Sequence, residues 1–342
     1  MSLFPLLRPL IFRLDAERAH GLSIAGLKAF PARRAPDFSQ ALRTNVAGIS
    51  FPSPVGLAAG YDKDAEVYGP LFGLGWGHVE VGTLTPRPQP GNPRPRNFRL
   101  PEDRAVINRY GFNSCGQEAA LERLARRDRT AGVLGINIGA NKDSADRIAD
   151  YAEGVRRMGR HADYLTINIS SPNTPGLRQL QDEGALRELL AAMREARGVE
   201  GPPVFLKVAP DQGEEEPRQI VRAAMDHGID ALIVGNTTVS RPPLRSRHAG
   251  EAGGLSGAPL KPLALATLKR FRSETAGALP LIGVGGIGSA EDAWERIRAG
   301  ASLVQLYTAM VYEGPGIGRR IALELAERLQ REGMSSIAEA VG

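Results

Sequence analysis

From residue 54 onward, short runs of almost unbroken apolar residues recur with helix-patterned stretches between them, and this recurrence limits the fold more than any other feature. The runs cover residues 54–59, 78–83, 134–139, 164–169, 204–208, 231–234, 281–284 and 303–306. A strand with one face in water alternates polar and apolar residues, whereas a strand buried on both faces does not, so these runs fit a parallel sheet covered by helices. Residues 118–127, 145–157, 184–197, 216–227, 260–275 and 290–299 carry the helical pattern. Eight strand–helix units in one chain predict an α/β fold of the (β/α)8 kind, a TIM barrel, rather than an open sheet. The one long gap, residues 84–132, predicts a lobe inserted after the second strand, over the barrel mouth.

Barrels of this kind carry their chemistry at the C-terminal strand ends. The first run ends in Ala58-Ala59-Gly60-Tyr61-Asp62-Lys63, the second in Gly82-Thr83, the third in Asn137 with Gly139 nearby, and the fourth in Asn168. The fifth carries Lys207; Asn236-Thr237-Thr238, Gly285-Gly286 and Tyr307-Thr308 follow the sixth, seventh and eighth. Together they predict a site for one flat, polar ligand. The densest stretch, Asn168-Ile169-Ser170-Ser171-Pro172-Asn173-Thr174-Pro175-Gly176-Leu177-Arg178, brings amides and hydroxyls onto a Pro/Gly-rich loop, although alone it reads equally as a polar turn. Gly285-Gly286 permits close approach of backbone to a phosphate, and residues 314–318 open a helix whose N-terminal amides favour an anion.

Residues 1–34 differ in character. Leu6, Leu7, Leu10, Ile11 and Leu14 fall at helical spacing; a second stripe of Ala19, Leu22, Leu27 and Phe30 follows Asp15, a plausible N-cap, and stops at Pro31. Two amphipathic helices are predicted. Arg8, Arg13 and Arg18 break the apolar content well short of the ~20 residues that span a bilayer, and no basic stretch precedes it as in a signal peptide. A hairpin packed on its own domain and one resting in a membrane surface both remain open. The single cysteine, Cys115, excludes a disulfide framework and a Cys-based metal site within this chain, and fits a reducing compartment. The net charge of +5 suits anionic ligands or lipid, but basic and acidic residues are interspersed, which argues against nucleic-acid binding.

The strings Ala58 through Lys63, Asn108-Arg109-Tyr110-Gly111-Phe112-Asn113, Asn168 through Arg178, Asn236-Thr237-Thr238 and Gly253-Gly254-Leu255-Ser256-Gly257 resemble those of the dihydroorotate dehydrogenases, and more narrowly the quinone-dependent, membrane-associated class 2. The resemblance implies an FMN-binding barrel, residues 35–342, that oxidises (S)-dihydroorotate to orotate in de novo pyrimidine biosynthesis. Electrons would pass to a membrane quinone, ubiquinone or menaquinone, reached through a hairpin of residues 1–34. It also implies a peripheral protein on the cytoplasmic face of the inner membrane, touching anionic lipid through the basic set Arg8, Arg13, Arg18, Lys28, Arg33 and Arg34 of the hairpin, with no obligate protein partner and no metal.

By the same resemblance Ser171 is the catalytic base, its proton passing onward through water or a hydroxyl such as Thr174. Class 1 relatives carry cysteine there. Asn108, Asn168, Asn173, Asn236 and Thr237, with Arg109, Tyr110, Gly111 and Phe112, resemble the substrate-binding set, each amide offering both donor and acceptor. Lys63 resembles the lysine near substrate and flavin, and Lys207 the cation that stabilises reduced FMN. Ala59, Gly60, Thr83, Asn137, Asn168 (shared with the substrate set), Gly235, Gly257, Gly286, Tyr307 and Thr308 complete the FMN set, with His20 at the quinone passage. Two positions depart: Gly235, where relatives often place threonine, implies a lost hydroxyl contact, and Tyr61 stands for leucine or phenylalanine. Cys115 reads as structural. A fumarate- or NAD-linked class 1 enzyme would carry cysteine at 171 and no hairpin, and a mere flavin carrier would need neither Ser171 nor Lys63.

Overall fold

A computed structural model of the protein describes residues 4–31 and 34–342; Arg33 of the predicted basic hairpin set lies outside the described residues. Helices α1 (Phe4–Ile11) and α2 (Ala16–Lys28) fall where the two apolar stripes place them. The Asp15 carboxylate accepts the N–H groups of Glu17 and Arg18, both at 3.0 Å, satisfying two of the donors that a helix start leaves unpaired. An antiparallel hairpin, β1 (Thr44–Val46) and β2 (Ile49–Phe51), then precedes the first apolar run.

The barrel strands are β3 (Val55–Leu57), β4 (His78–Leu84), then, past β5 (Asn97–Leu100) and β6 (Ala105–Asn108) of the lobe, β7 (Val133–Ile138), β8 (Tyr164–Asn168), β9 (Val204–Val208) and β10 (Ala231–Val234). After β11 (Gly254–Gly257), β12 (Leu281–Val284) and β13 (Ala301–Leu306) complete the ring, and β13 pairs back to β3. These eight parallel strands close in a barrel and lie on the eight predicted runs. Helices α4 (Gly116–Leu124), α5 (Arg147–Met158), α6 (Glu183–Arg197), α7 (Glu216–Asp226), α8 (Lys261–Thr275), α9 (Ala290–Arg298) and α11 (Ile317–Arg331) match the predicted ones; two short helices, α3 (Tyr68–Gly73) and α10 (Thr308–Glu313), were not foreseen.

Alternation along the strands builds two cores. Leu165 and Ile167 of β8, like Leu206 of β9 and Leu232 of β10, pack outward under the helices, while Tyr164, Phe205, Ala231 and Ile233 point inward. Val46 and Phe51 of the β1–β2 hairpin join that inner cluster and close the N-terminal end; Phe51 meets His78 edge-on at 5.2 Å and Tyr164 stacks on Phe205 at 4.4 Å. Two strand glycines make the room: a Cβ on Gly56 would lie 2.0 Å from the His78 ring, and one on Gly135 2.2 Å from Tyr164. The lower barrel is thus filled.

The lobe is a three-stranded antiparallel sheet in the order β11, β6, β5. Its third strand comes from beyond β10, so the insertion is not confined to residues 84–132 as predicted. Helices α1 and α2 lie against the lobe and α10. Arg8 donates to the Tyr312 carbonyl at 3.1 Å, Phe12 packs edge-on to Tyr312 at 5.5 Å, and Glu17 pairs with Arg94 at 2.9 Å and Arg96 at 2.8 Å. Leu6, Leu7, Leu10, Leu22 and Phe30 stay exposed. No helix among the described residues is long and apolar enough to cross a membrane.

Candidate active site

The C-terminal strand ends, the lobe, α1 and α2 enclose a cavity of about 590 Å³. Most predicted site residues line it: Ala59, Gly60 and Lys63 after β3, Thr83 on β4, and Asn108, Tyr110, Gly111 and Phe112 of the lobe. Asn168, Ser171 and Asn173 reach it from β8 and its loop, Lys207 from β9, and Asn236 and Thr237 from beyond β10. Gly257, Gly286, Tyr307 and Thr308 complete the wall.

Three predicted residues lie elsewhere. Arg109 turns into the lobe, pairing with Glu251 at 2.9 Å and lying over the Phe98 ring. Asn137 is buried one layer down and bonds the lining residues Thr83 and Asn168. Gly235 stands at φ +129, where a Cβ would meet the Val284 carbonyl oxygen at 2.3 Å. The Val284 carbonyl thus occupies the space that a side chain at 235 would need, and the positive φ is one that glycine adopts freely. The helix predicted to open over residues 314–318 is α11, which starts at Ile317 with Gly316 as its N-cap; Gly314 packs against Phe4, and Pro315 lines the cavity together with Thr308 at the start of α10.

Charge in the cavity comes from two lysines and from Arg99, whose guanidinium donates to the Ile11 carbonyl at 3.3 Å. Lys63 donates to the Gly60 carbonyl at 2.6 Å and sits 4.5 Å over the Tyr110 ring; burial pushes its pKa down to about 8. Lys207 is almost wholly buried, its ammonium 4.0 Å from the Glu80 carboxylate; burial lowers its pKa and Glu80 opposes the fall. Ser171 Oγ accepts the Asn173 N–H at 3.3 Å, and the hydroxyl of Thr174 is buried without a partner. Asn173 Nδ2 reaches Asn108 Oδ1 at 3.5 Å, joining the β8 loop to the lobe. Phe112, which also lines the cavity, holds a left-handed backbone at φ 55, the kind of local strain that surrounding structure must enforce.

At the other end the wall is apolar and helical. Ile11, Phe12, Leu14, Ala19, Leu22, Leu27 and Phe30 line it, and His20 lies between them and Tyr307, whose hydroxyl is 3.5 Å from its Nδ1. Burial, then Lys63, holds the His20 imidazole far below its ordinary pKa and therefore neutral. The Tyr61 hydroxyl is 3.0 Å from Ser23 Oγ, so the extra oxygen at this departing position has a partner on α2. Sequence reasoning missed Ser23 and Asn97 in the wall, isolated polar residues whose roles depend on distant elements, and gave Ser256, inside the string from Gly253 to Gly257, no role of its own. It also missed Glu80, buried in the barrel beneath the cavity; a glutamate inside an apolar run was the available signal.

Comparison with known proteins agrees with this geometry. The family model described as dihydroorotate dehydrogenase matches residues 41–329. A protein of Erythrobacter litoralis named dihydroorotate dehydrogenase (quinone) is 64% identical over 340 residues, 99% of each chain. One of the same name from Novosphingobium aromaticivorans is 60% identical, covering 100% of this chain and 99% of its own. The crystal structure of the Eimeria tenella enzyme in complex with ferulenol superposes with a TM-score of 0.91 at 42% identity, over 96% of this chain and 95% of that one. A family model spanning most of the chain, with full-length relatives at such identity, means that this chain belongs to the dihydroorotate dehydrogenase family.

Proposed function

We propose that the protein oxidises dihydroorotate to orotate in pyrimidine biosynthesis and passes the electrons to a quinone, with FMN bound at the barrel mouth. One observation carries this reading: a single cavity runs from the Lys207, Ser171 and asparagine end to the apolar wall of α1 and α2. A polar substrate and a lipid-soluble acceptor can therefore serve one redox centre from opposite ends. Serine rather than cysteine at 171 argues for the quinone-linked class.

The residues present fit FMN, the cofactor of the family. Gly286, at φ +73 with the Lys261 backbone 2.4 Å from any added Cβ, and Gly257, at φ +97 against the Arg104 carbonyl, keep the wall bare of side chains where a phosphate would lie. Thr237, Asn97 and Asn113 line the cavity, and one side-chain oxygen of each, Thr237 Oγ1, Asn97 Oδ1 and Asn113 Oδ1, is buried without a protein partner, as fits a wall made for a polar ligand. FMN, when bound, supplies the acceptor for the substrate's hydride. Ser171 takes the acidic proton beside the carbonyl, and the unpartnered Thr174 hydroxyl is the neighbour that can pass it on. Asn108, Asn168, Asn173 and Asn236 orient the substrate through paired donors and acceptors, and Lys63 meets its carboxylate. Lys207 places a positive charge where reduction adds a negative one.

Residues 1–34 form the membrane-facing unit, resting on anionic lipid at the cytoplasmic face of the membrane. The exposed leucines of α1 and α2 and Phe30 supply apolar contact; Arg13, Arg18 and Arg34 are exposed for headgroups, each worth roughly 1 kcal/mol near the surface. Arg8 and Lys28, expected in that set, are instead engaged with Tyr312 and Glu66. The test is anaerobic: dihydroorotate should bleach the yellow flavin of the purified protein, and a long-chain quinone in vesicles should restore the colour. A flavin that dihydroorotate leaves oxidised removes the assignment.

A further inference from the structure

The Glu80 carboxylate lies on the inner face of β4, fully buried, below the cavity wall. Its Oε1 accepts Asn137 Nδ2 at 2.7 Å, and its Oε2 accepts Gln305 Nε2 at 2.9 Å and the Tyr164 hydroxyl at 3.3 Å. An ionised carboxylate only accepts. Asn137 must therefore turn its NH2 down to Glu80 and its carbonyl up, where Oδ1 accepts Thr83 Oγ1 at 2.6 Å and Asn168 Nδ2 at 3.1 Å. Asn168 is thereby oriented with its own Oδ1 outward, accepting Ser170 Oγ at 2.7 Å. Having donated its only hydrogen, Ser170 Oγ accepts from Asn236 Nδ2 at 2.7 Å, and Asn236 Oδ1 takes the Thr237 N–H at 2.7 Å. Donor follows acceptor without a break from the barrel interior to the two asparagines of the wall.

We propose that Glu80 is a positioning residue that fixes, through Asn137 and Ser170, which amide atoms Asn168 and Asn236 turn toward a bound ligand. Neither end of an asparagine is preferred by shape, since NH2 and oxygen are nearly the same size; only hydrogen-bond direction distinguishes them. A one-sided anchor that cannot reverse is what such a chain needs. Lys207, its ammonium 4.0 Å away and also deeply buried, places a cation beside the anchor inside the barrel.

The inference rests on the reading of the mouth as the FMN and dihydroorotate site, and its test exchanges donor and acceptor without changing volume. Asn137→Asp sets two acceptors face to face; Glu80→Gln with Asn137→Asp restores one donor and one acceptor while keeping an acceptor toward Thr83 and Asn168. Orotate affinity of the FMN-loaded proteins is read from the flavin absorbance shift. The single Asn137→Asp variant should bind orotate at least about tenfold more weakly, as for a buried polar pair left unmatched, and the double variant should recover to within about threefold of the unmodified protein. A double variant as weak as the single one overturns the proposal. Should Asn137→Asp not accumulate as folded protein, recovery of a folded, orotate-binding double variant is the rescue, and failure of both overturns it equally. An unmodified protein that does not bind orotate would instead fail the functional reading on which this one stands.

Discussion

A serine hydroxyl gives up its proton only far above neutral pH, so Ser171 works as a base only where its proton has an onward path. Its Oγ accepts from the Asn173 N–H, and the buried Thr174 hydroxyl nearby in the loop is unpartnered. Ser171→Ala should keep FMN and slow its anaerobic reduction by dihydroorotate about 10²–10⁴-fold, the usual worth of general-base assistance; near-normal bleaching in a stopped-flow trace would take the serine out of that role. Lys63 gives a second prediction. Burial lowers its pKa to about 8, so the cation is present below that pH and is lost as pH rises through it. Orotate affinity should be flat from pH 6 to about 7.5 and weaken toward tenfold per unit above about 8. Lys63→Arg, charged throughout, should remove that decline; an affinity that stays flat to pH 9.5 in the unmodified protein would show that Lys63 does not meet the anion.

Among the elements, α1 and α2 combine firm attachment with an unpartnered apolar side. Arg8, Phe12 and Glu17 tie them to α10 and the lobe, while Leu6, Leu10 and Leu22 are each more than half exposed. Removing residues 1–34 should leave dihydroorotate able to bleach the flavin and a small soluble dye able to reoxidise it, while long-chain quinone turnover and cosedimentation with anionic vesicles collapse. Full quinone turnover by the truncated protein would make these helices packing alone. They were legible in the sequence, like the eight barrel strands, because apolar spacing reports burial on a local element directly. What was illegible depends on partners far away in the chain. Gly254–Gly257 looks like a turn until β6, some 150 residues earlier, supplies its pairing, and α10 is too short to show a period. Gly235 resembled a lost contact because the Val284 carbonyl that forbids a side chain there belongs to another strand. Most of the residues predicted from motifs line the cavity, whereas Glu80, buried beneath it, stood in no motif.

The whole molecule divides its labour along the barrel axis, a packed floor beneath a polar mouth, and the two halves should answer differently to acid. The floor holds His78, fully buried between Phe51 and Gly56, with both ring nitrogens unpartnered. Burial alone pushes its pKa from 6.5 down to about 3. In the unfolded chain the ring binds a proton once pH falls below about 6.5, while the folded protein does not accept one until about pH 3, so stability declines across that window and levels off below it. The pKa gap sets an upper bound of about 5 kcal/mol on this contribution. His78→Phe replaces the ring by an apolar one of similar size, removing both the titration and two buried, unsatisfied nitrogens. Urea unfolding at pH 7.5 and pH 4.5 should show the unmodified protein losing more stability between those values than the variant, with m unchanged. Equal losses in the two proteins would mean that water or a partner reaches His78 in the folded barrel, and that the floor is less tightly closed than the packing of Phe51, Tyr164 and Phe205 requires.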